Sequence, residues 1–323
     1  MLLGFDIGGT KSTVILGEKS RDEKINVIEK VVLATNKPVQ EMIESLFFTA
    51  ETIMNKNAVL EDNLDAIGIS CGGPLNSKTG VILSPPNLQG WDNIPIVDMA
   101  EKRFGKKAFL QNDANACAIA EWKSGAGKGY QNIIFLTFGT GMGAGLILNG
   151  NLYSGLNDSA GEVGHVRLSD RGPVGFGKAG SFEGFCSGGG IAQLAQMKAK
   201  EKLAIGEKCS YCKSMDNIPL LTAKSVAEAA YSGDHEAIDI YKTSARFLGK
   251  GISLLIDILN PEVIILGSIY CRAQSLIEPT MRAVIEQETL PHAYKACHIV
   301  PAALGESISD IAVLTLADVG YNS

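Results

Sequence analysis

The chain has 323 residues, 46% hydrophobic and 20% charged, with a formal net charge of −6. That length suggests about two domains, and the composition supports a buried core rather than disorder. No cluster of Lys and Arg offers the basic face that nucleic acid needs, no apolar run reaches the ~18 residues that span a bilayer, and MLLGFDIGGT lacks signal-peptide flanks, so neither nucleic acid nor membrane is expected as a partner and the chain reads as cytoplasmic.

In chain order, residues 2–6, 12–17 and 25–33 read as successive strands, and PVQEMIESLFFTAETIMNKN has helical spacing. LDAIGISCGG reads as a buried strand ending in glycines, and IPIVDMAEKRFG as a helix that stops at Gly105. KAFLQND is a strand, and the helix ANACAIAEWKSG starts beside Asp113. At 132–150 the pattern restarts: NIIFLTFGTGMGAGLILNG repeats the strand, glycine turn, strand layout of residues 3–17. Helices follow near 187–203, 222–232 and 235–259, then the strand EVIILGS, a helix at 273–288, a strand near 297–301 and a helix at 308–320. Strands alternating with helices imply an α/β fold, and the repeat implies a duplicated architecture with a ligand cleft between lobes. The lobes are expected at 1–114 and 115–305, with a C-terminal helix at about 306–323 packing back on the first.

Seven cysteines, an odd number in mostly apolar or helical surroundings, fit reduced thiols better than a disulfide frame. Cys209 and Cys212 form a CxxC with no further pair of ligands nearby, short of a zinc site.

The glycine turns admit several readings. FGTGMGAGLIL is not a P-loop, since GxxxxGK[ST] is absent. Its GxGxxA match at Gly139, Gly141 and Ala144 would need a helix directly afterwards, but GLILNGNLYSG is β-like. Plain hairpins could use glycines for positive φ. Turns this crowded with glycine also expose several backbone N–H groups at one spot, which binds anions. Two such cradles with an acid at Asp6 would suit a nucleoside triphosphate and Mg²⁺, the carboxylate holding the cation through its water shell. Asn112 and Asp113 stand where a strand meets a helix. Asp113 there either caps the helix or accepts a proton from a phosphoryl-acceptor hydroxyl, with Asn112 orienting a neighbouring one.

With DIGGTK, NDANA, GTGMGAG and GEVGH in this order, nearly the whole chain resembles the ROK family of sugar kinases and repressors. The resemblance implies a duplicated actin/hexokinase-like, ribonuclease H-like fold and an ATP-dependent sugar kinase. Carried over by position, Gly8, Gly9, Thr10 and Lys11 match the first phosphate loop, and Asp6 its metal-side acid. Gly139, Thr140 and Gly141 match the second loop. Gly267 lies where the family lines the adenosine pocket, although the usual glycine pair is Gly267–Ser268 here. Asp113 matches the general base and Asn112 a sugar-binding asparagine. Glu162, His165 and Glu183 match residues that bind sugar hydroxyls, and Gly73 and Asn87 match sugar-side loops of the first lobe.

In most family members a CxCGxxGC cluster after the histidine completes a zinc site. Here its cysteine positions hold Val174, Phe176 and Ser181, while Gly177, Gly180 and Glu183 persist. Val and Phe cannot ligate zinc, so no structural zinc site is expected. Phe176 and Val174 are expected to pack this loop hydrophobically. His165 is left as a sugar contact or as a satisfied core histidine.

The resemblance implies transfer of the ATP γ-phosphoryl group to a hexose hydroxyl, by family habit O6, with glucose fitting best. N-acetylmannosamine, N-acetylglucosamine and other hexoses are alternatives, as is a catalytically silent sugar-binding protein. A repressor would need an N-terminal DNA-binding region, and the first strand already begins at residue 2. A homodimer is expected from family habit.

Overall fold

The computed structural model describes residues 1–321 and forms two compact units. The first comprises Met1–Gln131, Gly145–Ala160 and the chain from Ala303 onward; the second comprises Asn132–Ala144 and Gly161–Ala302.

The chain begins with β1 (Leu2–Ile7), β2 (Lys11–Lys19), β3 (Ile25–Ala34), α1 (Val39–Lys56) and β4 (Ala66–Cys71). A small hairpin follows, β5 (Leu75–Asn76) with β6 (Val81–Ile82), then α2 (Ile96–Phe104), β7 (Ala108–Asn112) and α3 (Asp113–Ser124). The second glycine-rich hairpin is β8 (Ile133–Phe138) and β9 (Met142–Leu148), extended by β10 (Asn151–Leu152). After it come a two-residue-strand hairpin, β11 (Val174–Gly175) and β12 (Lys178–Ala179), and the helices α4 (Phe182–Cys186), α5 (Gly188–Ala204), α6 (Ala223–Tyr231) and α7 (His235–Leu259). The chain ends with β13 (Val263–Leu266), α8 (Ile269–Glu288), α9 (Pro291–Ala296), β14 (His298–Pro301) and α10 (Ile308–Tyr321). No described helix is long and apolar enough to cross a membrane.

The first sheet runs β3-β2-β1-β4-β7 and the second β10-β9-β8-β13-β14. In the first, β1 pairs antiparallel with β2 on one side and parallel with β4 on the other; in the second, β8 lies between β9 and β13 and runs parallel to β13, so the expected duplication is present in the strand order itself. The matching register of β1, β4 and β7 brings Ile7, Cys71 and Asn112 into line. The loops that follow them therefore emerge along one sheet edge. Carboxyl edges of parallel strands are where α/β folds bind ligands.

Interior strands are apolar on both faces because helices cover both. On one face α1 presents Met42, Ile43, Leu46, Phe47, Ala50 and Ile53 at helical spacing, with Ile96, Ala100 and Phe104 of α2 beside them. Phe5, Phe47 and Phe104 meet there at 5.4–6.1 Å between ring centroids. Each such fully buried side chain contributes ~1.5–3 kcal/mol. On the other face α10 lays Val313, Leu314 and Ala317 against the sheet. Glycines at positions 4, 17 and 68 open the trough for it: a Cβ at Gly68 would collide with the Val313 carbonyl. α2 ends as expected, with Gly105 in the left-handed conformation at φ 65°.

In the second unit β13, VIIL, is wholly buried. α7 begins at Asp234, whose carboxylate accepts the N–H groups of Glu236 (2.9 Å) and Ala237 (3.0 Å). Gly249 and Gly251 of α7 allow close approach to Val284 of α8 and Phe182 of α4. Several short elements escape the sequence pattern, among them the β5–β6 and β11–β12 hairpins, α4 and α9. They are too short for any periodicity to develop.

Candidate active site

The first glycine turn, Gly8–Gly9–Thr10, joins β1 to β2 and is closed by Gly8 N–H donating to the Lys11 carbonyl at 3.1 Å. Neither glycine is left-handed, which removes the reading that they serve a positive-φ hairpin. They serve close approach instead. A Cβ on Gly8 would lie 2.7 Å from the Lys11 oxygen, and one on Gly9 would collide with the Asn87 carbonyl. Gly9 and Asn87 therefore adjoin, with Thr10 and Lys11 exposed beside them.

Asp6 sits one residue before the end of β1, opposite Ser70 of β4. Its pKa is pushed up to about 6, first by burial, then by the charges of Asp113 and Asp310. A hydrogen bond with Ser70 and the charge of Lys30 oppose the rise. Lys30 Nζ is itself paired with Asp310 at 2.7 Å. Asp6 and Asp310 thus share one lysine. The anionic oxygen set around Asp6 and the local excess of negative charge fit a hard divalent cation such as Mg²⁺. Among the described residues no group of three or more His, Cys, Asp and Glu side chains is placed to hold a metal on its own.

Asn112, not Asp113, is the N-cap of α3: its Oδ1 accepts Ala114 N–H at 2.9 Å, from φ −62° and ψ 146°. Asp113 is the first helical residue, and its Oδ1 shares that same N–H at 2.7 Å. Capping alone therefore does not account for Asp113. Its side chain reaches solvent, yet the surrounding protein raises its pKa by desolvation, with the Ala114 N–H opposing. A Cβ on Gly73 would lie 3.5 Å from Asn112 Nδ2. Asp6, Gly73, Asn112 and Asp113 thus gather at one edge of the first sheet.

In the second unit Gly139–Thr140–Gly141 joins β8 to β9, with Gly139 N–H donating to the Gly141 carbonyl at 3.2 Å. A strand follows the glycines, as the rejection of a dinucleotide fingerprint required. Glu183 of α4 is built into this loop: its Oε2 accepts Met142 N–H at 3.0 Å, and a Cβ on Gly141 would lie 2.9 Å from that oxygen. Gly267 is buried behind β13 and donates to the Leu136 carbonyl at 3.0 Å. Ser268 takes φ 53° and ψ −111°, a conformation suited to glycine. Beside it, Arg272 Nη2 donates to Ser268 Oγ at 3.1 Å and Cys271 Sγ approaches the Leu266 carbonyl at 3.4 Å. Cys271 and Arg272 also line a groove with Tyr231, Gln274, Ser275 and Glu278.

Glu162 and His165 flank a short 3-10 turn, Val163–His165, and both are exposed. His165 is therefore no core histidine. The expected hydrophobic packing of the altered loop is also corrected. Phe176 is 72% exposed and Val174 47% exposed, because they stand on a projecting hairpin. That hairpin is held by polar bonds: Gln193 brackets Val174, accepting its N–H at 2.9 Å and donating to its carbonyl at 2.8 Å. The seven cysteines are all free thiols, Cys209 and Cys212 among them.

The family model described as the ROK family matches residues 2–318. The chain belongs to the ROK family. Among curated ROK relatives, the glucokinase of Thermotoga maritima is 30% identical over 98% of this chain and 96% of its own. The xylose repressor of Caldicellulosiruptor bescii is 28% identical over 89% of this chain and 70% of its own. Among solved structures, a ROK family glucokinase from Streptomyces griseus in complex with glucose and AMPPNP superposes with a TM-score of 0.74 at 27% identity, covering 99% of both chains. The two-sheet α/β architecture is thus the actin/hexokinase-like fold of ROK glucokinases, as expected. Kinases and repressors both occur among ROK relatives, so the local chemistry has to carry the activity.

Sequence reasoning missed Lys30 and Asp310 as tuners of Asp6. They stand 280 residues apart, and the only local hint is the pair of acids, Asp310 and Asp318, in the apolar run ISDIAVLTLADVG. It also missed Glu121, fully buried on α3, whose carboxylate accepts N–H groups from Ala126 (2.7 Å), Leu304 (2.9 Å) and Ala303 (3.2 Å). Its position in a helical run gives no sign of these partners.

Proposed function

We propose that this ROK protein is an ATP-dependent sugar kinase that transfers the γ-phosphoryl group to a hexose hydroxyl, O6 of glucose by preference. The observation that carries the reading is the pair Asp6 and Asp113 on one sheet edge, both with raised pKa.

Asp113 accepts the proton of the attacking hydroxyl, and its raised pKa makes it the stronger base. The freed oxygen forms its bond to the γ-phosphorus as the bond to the ADP oxygen breaks. Asn112 Nδ2 donates to a neighbouring sugar hydroxyl, its Oδ1 being held by the helix cap. Gly73 and Asn87 supply the adjoining loops. Glu162, His165 and the uncommitted oxygen of Glu183 take further sugar hydroxyls. Gly8 and Gly139, whose N–H groups close the turns internally, shape the loops, and the backbone N–H groups of Gly9, Thr10, Thr140 and Gly141 are the donors offered to the phosphates, with Lys11 as a cation beside them. Gly267 and the groove beyond Ser268 take the adenosine. Mg²⁺ held beside Asp6 would supply charge neutralisation on the phosphates.

The test is ADP release from ATP and Mg²⁺ with a panel of hexoses and N-acetylhexosamines, alongside Asp113→Asn. Sugar-dependent turnover that the variant loses supports the kinase. Sugar-induced thermal stabilisation without turnover for any sugar identifies a silent sugar-binding protein instead.

A further inference from the structure

Phe176 and Gly177 form the tip of the β11–β12 hairpin, at φ 44° and 73°. Successive left-handed residues make a tight turn that Asn-Gly fills without strain. A bulky aromatic in the first position is an outlier, and strain of this kind persists where something else repays it. The fold itself does not repay it, for the ring is 72% exposed.

The ring's partner is His165, met edge to face at 6.2 Å between centroids and 76° between planes. The hairpin beneath is tied to two of the residues of this unit proposed above as sugar ligands, His165 and Glu183. Lys178 Nζ donates to the His165 carbonyl at 2.8 Å. Gly175 passes so close to α4 that a Cβ there would lie 2.8 Å from Cβ of Glu183. Arg167 Nη1 binds the Ala179 carbonyl at 2.8 Å and Gln193 holds Val174, so the tip stands on a braced support.

We propose that Phe176 is a specificity-determining residue, its ring and the His165 imidazole forming an aromatic corner that receives the C–H face of the sugar. The proposal rests on the sugar-kinase reading above. A pyranose with equatorial hydroxyls turns a face of weakly positive C–H groups outward, which suits the negative face of an aromatic ring. On the face that carries the C2–H and C4–H bonds, which this corner receives, an axial hydroxyl at C2 or C4 would put a polar group against that ring without a partner. The corner therefore favours glucose over epimers that carry an axial hydroxyl, such as galactose.

Two variants test it in the coupled ADP-release assay. Phe176→Asn keeps the turn and removes the ring; Phe176→Tyr keeps the ring. Phe176→Asn should raise Tm, raise KM for glucose about fivefold with the smaller change in kcat, and shrink the glucose-over-galactose ratio of kcat/KM by a similar factor. Phe176→Tyr should retain the wild-type KM and ratio. An Asn variant with unchanged KM and selectivity overturns the proposal. So does a raised KM accompanied by a fall in Tm, which marks a purely structural residue. Wild-type protein without sugar-dependent ADP release overturns the kinase reading itself, and this inference with it.

Discussion

The two sheets share one strand order but not one chemistry. Where β1 carries Asp6, β8 carries Thr137, whose Oγ1 accepts Gly143 N–H at 2.9 Å and so is spent inside its own hairpin. Where β4 runs into the loop of Gly73, β13 runs into Gly267 and Ser268. Where β7 ends in Asn112 and Asp113, β14 ends in Pro301 and two alanines. The first half ends its strands in desolvated acids, whereas the second ends its own strands in uncharged residues and takes the acid beside its glycine turn, Glu183, from α4, where Met142 N–H engages it. On the proposed function, the acidic half would serve the cation and the proton acceptor, and the neutral half the nucleotide.

The comparison breaks most visibly at Asp113. Asp113→Asn should lower kcat by about 10²–10⁴ with the fold intact, read from steady-state kinetics and circular dichroism. A variant with wild-type kcat would deny the acidic half its chemical role.

Glu121 shows that the first half also holds an acid for structure. Replacing it by Gln sets an amide donor against three backbone donors and should cost about 3 kcal/mol, measured by urea denaturation. Unchanged stability would mean those N–H groups find other partners.

Asp6 separates stability from activity. Its folded pKa of about 6 lies above the ordinary 3.8, so the folded state holds this proton more tightly than the unfolded chain. The ionised form costs ~3 kcal/mol at neutral pH, and the cost is relieved as pH falls from about 6 toward 4. Asp6→Asn should therefore raise Tm at pH 7 while abolishing turnover. Wild-type kcat/KM should fall as pH drops through about 6, as Asp6 takes up its proton. A flat profile between pH 5 and 8 would contradict this assignment.

The smallest effect belongs to the neutral half. Ser268→Gly relieves an L residue from φ 53° and should stabilise the protein by ~1 kcal/mol, seen as a modest rise in Tm. A fall in Tm would show that the Arg272 to Ser268 hydrogen bond outweighs the backbone strain.

Much of this was legible in the chain alone. Strand and helix periodicity places both glycine turns, the end of α2 at Gly105 and the whole of α7, because these depend on neighbours within a few residues. Asp6, Asn112 and Asp113 could be picked out because strand ends and helix starts are local features. The reason for the glycines was not legible. The pattern allowed positive φ, whereas the fold uses them for close passage of Lys11, Asn87 and Glu183. Nor was the exposure of Phe176, since an apolar residue in a loop says nothing about whether the loop projects.

The sequence by itself determined the duplicated α/β frame, the two turns and the acids at the first sheet's edge. Only tertiary structure decided how those acids behave. Desolvation and charge repulsion depend on what lies within a few ångströms. Around Asp6 that includes Lys30 from β3 and Asp310 from α10, at opposite ends of the chain. No local pattern encodes that distance, and it alone makes a common aspartate a candidate for chemistry.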